Sequence, residues 1–289
     1  MTSPAFHPAL PPALVNCRRF MVGSVPVGGD APLALIAGPC VIEGRDHLHF
    51  MAERLVAITR RLGLPLIFKA SYDKANRTSG AAFRGPGLEA GLALLAEIRS
   101  TFGVPVLTDF HTAEQAAPAA AVCDMIQIPA FLARQTDFVL AAGRAGKPVN
   151  VKKAQFMAPG DVRNVVSKLN EVGCHDVLLT ERGVCFGYGA LVSDFRSLPA
   201  MQEATGLPVC FDATHSVQQP GGLGTATGGQ RQYVPHLARA ACAVGINALF
   251  VETHDRPAEA KSDGPNMVPL DQLETMLRTC MAIDRALRG

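Results

Sequence analysis

Eight short apolar runs recur along this chain, and a segment with helical periodicity follows each. The runs span residues 33–38, 64–69, 104–109, 124–129, 148–153, 176–181, 208–213 and 247–252. They are brief and near-continuous in apolar residues, as strands buried on both faces are. The helical segments cover 46–62, 87–102, 112–122, 135–146, 160–172, 194–205, 233–244 and 269–287. Gly and Pro mark the passage from helix to next strand, as in Leu62-Gly63-Leu64-Pro65 and Phe102-Gly103-Val104-Pro105. Eight strand–helix units within 289 residues predict an α/β fold, a single-domain (β/α)8 TIM barrel. An open doubly wound sheet is the alternative, but it would carry an early GxGxxG loop, which this chain lacks. Residues 1–16 read as a loose Pro-rich leader and 17–30 as a short N-terminal β-hairpin extension.

Composition excludes several classes of function. A net charge of +2, no long basic run and no tryptophan argue against a nucleic-acid partner. The eight cysteines are scattered without CxxC pairs, which suits a reducing compartment and mostly inert packed thiols. There is no secretory pattern and no apolar run of membrane-spanning length, so the expectation is a soluble, cytoplasmic protein.

Ligands of such barrels bind at the carboxyl ends of the strands, and the polar residues fall there. In order they are Cys40; Lys69 with Lys74, Asn76, Arg77 and Ser79; Asp109 and His111; Gln127; Asn150, Lys152 and Lys153; Glu181 and Arg182; Asp212 and His215; Glu252 and His254. Leu33, Leu64, Val104, Pro148 and Pro208 lead the opposite ends, so the polarity is one-sided. Lys69, Lys74, Lys152 and Arg182 would meet in one mouth and repel unless a polyanion joins them, and a phosphate suits them. A Schiff-base lysine is the competing use. Cys40, His111, His215, Glu252, His254 and Asp263 are the residue types that hold a divalent transition metal. Residues 216–232, long and Gly-rich, read as a lid.

Several stretches resemble those of the 3-deoxy-D-manno-octulosonate 8-phosphate synthase family. They are AGPCVIE, KASYDKANRTS, FRGPGLEAGL, TDFH, QIPAFLARQTD, VNVKKAQF, TERG, FDATHSVQ, VETHDRP and KSDGPNMVPL, and they run in the family's order from about residue 20 onward. The resemblance implies a (β/α)8 barrel that condenses phosphoenolpyruvate with D-arabinose 5-phosphate for the Kdo sugar of lipopolysaccharide. The sister family, the 3-deoxy-7-phosphoheptulonate synthases, uses erythrose 4-phosphate and typically carries Lys-Pro-Arg-Thr-Ser. Here the chain reads Lys74-Ala75-Asn76-Arg77-Thr78-Ser79, which is similar to the octulosonate enzymes. A non-catalytic sugar-phosphate-binding barrel is a further alternative.

The resemblance also implies roles for particular residues. Cys40, His215, Glu252 and Asp263 would hold a divalent ion (Zn, Fe(II) or Mn(II)), since metal-requiring members carry Cys at the first strand tip. Ser262 agrees with that branch. Lys69, Lys74, Lys152 and Arg182 would hold phosphoenolpyruvate, with Gln127 and Ala130 lining its pocket. Asn76, Arg77, Thr78 and Ser79 would receive the pentose phosphate, and Arg134 would reach it across the interface of a homotetramer. Asp109 and His111 would stand near the reacting atoms, and Lys69, Lys74, Lys152, His215 and Asp263 would share in the chemistry. Ala154 departs from the more common VKKPQF, a loss of proline expected to loosen the loop behind Lys152.

Overall fold

The computed structural model describes residues 16–219, 222 and 228–288. The chain enters through a hairpin, β1 (Phe20–Val22) paired antiparallel with β2 (Val25–Val27). Strand β3 (Ala34–Gly38) then opens the barrel, followed by α1 (Arg45–Leu62), β4 (Leu66–Lys69), α2 (Leu88–Phe102) and β5 (Val106–Asp109). The alternation continues through α3 (Ala116–Val122), β6 (Met125–Ile128), α4 (Thr136–Arg144), β7 (Val149–Lys152), α5 (Val162–Glu171) and β8 (Val177–Glu181). A small ladder of β9 (Val184–Cys185) and β10 (Leu191–Val192) precedes α6 (Ser197–Thr205) and β11 (Val209–Asp212). The two-residue strands β12 (Gln218–Gln219) and β13 (Gly228–Gly229) pair ahead of α7 (Val234–Val244). The last unit is β14 (Ala248–His254), the edge strand β15 (Val268–Pro269) and α8 (Leu270–Arg288).

The ring β3-β4-β5-β6-β7-β8-β11-β14 is parallel throughout and closes where β14 pairs with β3. The expected TIM barrel and N-terminal hairpin are both present. Strands begin one or two residues later than the apolar runs suggest, because Pro65, Pro105, Pro148 and Pro208 end the connections rather than enter the ladders. The expected helix at 112–122 opens with a 3-10 turn, Ala113–Gln115. The leader lies almost wholly outside the described residues, as does the middle of 216–232, so the lid reading is left at its described ends.

Side chains alternate along each strand and divide the core in two. Leu35, Ala37, Leu66, Phe68, Val149, Val151, Leu249 and Val251 face outward and pack beneath the helices. Ala34, Ile36, Ile67, Leu107, Met125, Leu178, Cys210, Ala248 and Phe250 face the axis and meet Phe20, Val22, Val25 and Val27 of the hairpin. The hairpin therefore seals the amino-terminal end of the barrel, and only the carboxyl end remains open for a ligand. Among the described residues, no helix is long and apolar enough to cross a membrane.

Gly38 sits where the ring is tightest. A Cβ there would lie 1.9 Å from the Lys69 carbonyl oxygen, on the backbone of the neighbouring strand. Gly38→Ala is therefore expected to cost about 1–3 kcal/mol by overpacking, read as a lower melting temperature. An unchanged melting temperature would mean the two strand tips can part freely.

Candidate active site

The same alternation decides which polar residues face the axis. Lys69 follows Ile67 by two, Asp109 follows Leu107, Gln127 follows Met125, Asp212 follows Cys210 and Glu252 follows Phe250. Each of these five strands thus ends its inward row with a polar group, beneath a cavity of about 480 Å³ at the carboxyl mouth. One layer below the mouth, Thr180 Oγ1 donates to Asn150 Oδ1 at 2.6 Å, and Asn150 Nδ2 donates to Gln127 Oε1 at 2.9 Å. That chain of bonds fixes the floor. Lys153 and Glu181 are out of phase and face the helix layer, where Lys153 Nζ lies 3.4 Å from Glu181 Oε2. Two of the charged residues expected at the mouth are therefore absent from it.

The cations do not face one another unpaired, which corrects the repulsion expected from their number. Lys69 Nζ lies 3.2 Å from Glu252 Oε1 and 3.7 Å from Asp109 Oδ1, and donates to Ser71 Oγ at 2.9 Å. Lys152 Nζ lies 2.5 Å from Asp212 Oδ2 and 3.2 Å from the centre of the Phe250 ring. Lys74 Nζ is 4.0 Å from Glu252 Oε1. Burial pushes the Lys152 ammonium below its ordinary value, with Asp212 opposing. Burial alone would raise the carboxyls, but Lys69, Lys74 and His111 outweigh it and hold Asp109 well below the usual range. By the same balance His215, Lys69 and Lys74 hold Glu252 at about 2.

Arg182 is the exception. It donates to Gln218 Oε1 at 2.7 Å and the His215 carbonyl at 3.4 Å, makes no ion pair among the described residues, and its buried Nε has no partner. A buried guanidinium left in that condition invites an anion. Asn76, Arg77, Thr78 and Ala130 line the same cavity, with His111 among them. Ser79 and Arg134 do not: Ser79 forms a local turn to Ala81, and Arg134 is an exposed residue at the head of α4. Arg77 is engaged with protein, donating to the Lys261 carbonyl at 2.7 Å, Ser262 Oγ at 2.9 Å and the Phe83 carbonyl at 2.6 Å.

The mixed donor group assembles from the segments after β3 and β11, from β14 itself and from the loop that follows β14. Cys40 Sγ lies 3.1 Å from Ser262 Oγ and 3.2 Å from Asp263 Oδ2. Donor atoms of Cys40, Glu252 and Asp263 all fall within 4.8 Å of one another. His215 Nε2 is 3.5 Å from Glu252 Oε2 and 3.9 Å from Asp263 Oδ2. Its other nitrogen, Nδ1, lies 2.7 Å from Asp212 Oδ2, an arrangement that leaves the Nε2 lone pair facing the group. Glu252 Oε2 is buried without a hydrogen-bond partner. Sulfur, imidazole and carboxylate donors with an orphaned oxygen fit a divalent transition metal. His111 and His254, of suitable type, stand apart: His111 Nε2 faces the Asp73 carbonyl at 2.9 Å, and His254 lies outside the cavity beside Glu43.

Asp263 reaches this group from a left-handed backbone conformation, φ +49°. A residue with a Cβ holds that conformation at a cost of about 1–2 kcal/mol, tolerated best by Asp and Asn. Composition and spacing do not single out Ser71, whose hydroxyl bridges Lys69 and Asp109, or Asp212 as the group that orients His215. The Asp-x-x-His spacing of residues 212–215 carries the second in principle.

The site therefore sets buried cations beside a mixed sulfur, nitrogen and oxygen donor set at the mouth of an α/β barrel, an arrangement of the kind that suits an anion and a divalent metal. Residues 15–288 match the DAHP synthetase I family, and the chain belongs to that family. Within it, the chain is similar to proteins named 2-dehydro-3-deoxyphosphooctonate aldolase. That of a Bradyrhizobium species is 59% identical over 267 residues, covering 92% of this chain and 93% of the relative. That of Granulibacter bethesdensis is 59% identical over 269 residues, covering 93% and 95%. That of Citrifermentans bemidjiense is 56% identical over 267 residues, covering 92% and 97%.

Proposed function

We propose that this chain is a 3-deoxy-8-phosphooctulonate synthase acting as a single barrel domain in Kdo and lipopolysaccharide biosynthesis. It joins phosphoenolpyruvate, D-arabinose 5-phosphate and water into the eight-carbon acid phosphate and releases inorganic phosphate. The observation that carries this reading is the convergence of Lys69, Lys74, Lys152 and Arg182 on one cavity that also holds Asn76, Arg77 and Thr78. Identity of 59% to a protein named 2-dehydro-3-deoxyphosphooctonate aldolase supports it over the heptulosonate reaction.

In the reaction, C3 of phosphoenolpyruvate forms a bond to the aldehyde carbon, water adds at C2, and the C2–O bond to phosphate breaks. The water sheds two protons, one on adding at C2 and one as the ketone forms, and these balance the protons gained by the aldehyde oxygen and by the departing phosphate. Lys69, Lys74, Lys152 and Arg182 hold the phosphate and carboxylate of phosphoenolpyruvate, with Gln127 and Ala130 beneath it. Asn76, Arg77 and Thr78, which line the cavity, receive the pentose phosphate. Holding two polyanions side by side supplies proximity, which contributes about 7–11 kcal/mol in favourable cases. Asp109 and His111 stand at the mouth to hold or pass protons, and His215 and Asp263 share in the chemistry through the donor group. Cys40, His215, Glu252 and Asp263 would hold a divalent metal, as in the metal-requiring branch, and that ion would polarise a substrate oxygen. A homotetramer in which Arg134 serves a neighbour's site, and a cytoplasmic location, complete the proposal.

The test is phosphate release from phosphoenolpyruvate with each acceptor in turn. Release with arabinose 5-phosphate and little with erythrose 4-phosphate is expected. Release with erythrose 4-phosphate alone would shift the chain to the heptulosonate reaction. Binding of both substrates with no release would leave a sugar-phosphate-binding barrel.

A further inference from the structure

We infer that Glu43, which lines neither the cavity nor the donor group, is a positioning residue that sets Asp263 in place through the main chain of Lys261. This inference rests on the proposed role of Asp263 in holding a metal.

Asp263 must be held, because its left-handed backbone does not persist without support. The support comes from both sides of the segment just before it. On one side the Lys261 N–H donates to Glu43 Oε1 at 2.8 Å. On the other, Arg77 takes the Lys261 carbonyl at 2.7 Å and Ser262 Oγ at 2.9 Å. An anion and a cation thus grip one residue by its N–H and its C=O. Beyond Asp263 the chain is fixed at Gly264, where a Cβ would meet the Pro257 carbonyl at 2.4 Å.

Glu43 is itself fixed by the start of the same loop. The Arg256 N–H donates to His254 Nδ1 at 2.9 Å, so in the neutral ring the proton sits on Nε2, which faces Glu43 Oε1 at 3.4 Å. His47 packs against His254 with ring centres 4.4 Å apart and ring planes tilted by 34°, and its Nε2 lies 3.1 Å from Asp255 Oδ1. The loop from Asp255 to Asp263 is therefore tied at both ends to one short stretch, Glu43 to His47. Glu43, His47 and His254 also bring donor atoms within 4.8 Å of one another. An ion there is not inferred, because Arg256 already occupies the Nδ1 lone pair and Nε2 is left with the proton.

The proposal predicts a variant that weakens metal binding without touching the metal. The full chain is stripped with chelator, and its affinity for Co2+ is measured by competition with a fluorescent chelator. Cys40→Ala tests the donor reading and is expected to bind far more weakly than the wild type. Glu43→Ala is expected to weaken Co2+ binding about 10–100-fold, the usual effect of losing a group that orients a ligand. Glu43→Gln keeps an oxygen for the Lys261 N–H and is expected to stay within about threefold of the wild type. Glu43→Met keeps the bulk without the acceptor and should match Glu43→Ala, which separates lost positioning from lost fold when melting temperatures are read beside it. Unchanged affinity in Glu43→Ala and Glu43→Met, with Cys40→Ala weakened, overturns the role of Glu43 alone. Unchanged affinity in Cys40→Ala overturns the donor reading and the inference with it.

Discussion

Thorough chelation of the purified protein is expected to abolish phosphate release, and a divalent transition metal should restore it. The expectation follows from what Cys40, His215, Glu252 and Asp263 become without a cation. Burial and the carboxylate of Glu252 push the Cys40 thiol well above its ordinary value, so in the metal-free protein it holds its proton. Glu252 Oε2 then has no partner in a buried site, an expensive condition for a carboxylate oxygen. A divalent ion resolves both, and Lewis-acid help worth about 3–5 kcal/mol corresponds to roughly 10²–10⁴-fold in rate. Cys40→Ala should reproduce the loss even with metal in excess. Phosphate release that survives exhaustive chelation would keep the reaction and remove Cys40 from the donor set.

Replacing Lys69 should have an effect of similar size by a different route. The residue is 1% exposed, and its ammonium stands between Glu252 and Asp109, with Ser71 Oγ and the Cys40 carbonyl as further acceptors. Lys69→Met keeps the stem and leaves two buried carboxylates short of a counter-charge, a loss of about 3–5 kcal/mol of stability. Activity should fall by at least about 10³-fold, since the same cation is proposed to hold phosphoenolpyruvate. The pH dependence supplies an independent sign. Asp109 and Glu252 have depressed carboxyls, so the stability they contribute is full above the unfolded carboxylate range and is lost as pH falls toward their folded values. Without Lys69 both carboxyls move back toward ordinary values, so this contribution shrinks. The variant's melting temperature should therefore rise less between pH 3 and pH 6 than that of the wild type. Parallel curves would mean Lys69 does not carry the electrostatic load its contacts suggest.

Local patterns fixed most of the architecture in advance, and the alternation within strands explains both the success and its limit. Ile67 before Lys69 and Phe250 before Glu252 place those charges on the axis by parity alone. Parity also removes Lys153 from the mouth, a distinction between neighbouring lysines that was available in the sequence and that counting charges overlooks. Charge balance was harder to read. Lys152 and Asp212 are far apart in the chain, and only the pairing of β7 with β8 and of β8 with β11 brings them to 2.5 Å. The reach of Arg77 across to Lys261 and Ser262 has the same origin, for no local signal relates residues that distant. The place of Ala154 is plain: it is buried, and its carbonyl accepts hydrogen bonds from Lys153 Nζ and the Met157 N–H. The leader and the centre of the Gly-rich stretch fall outside the described residues.

Closure of the ring by β3 and β14 has a kinetic meaning. Cys40 follows the first barrel strand and Glu252 lies on the last, so the two come together only when the ends of the barrel meet. Contacts spanning most of the chain carry the largest loop-closure entropy and form late. A ribosome-bound or truncated chain lacking β14 would contain all four of the cations Lys69, Lys74, Lys152 and Arg182 and no complete donor set. Loop-closure entropy then predicts that the complete donor set forms only with the slow, long-range closure of the ring, and a fragment without β14 lacks it.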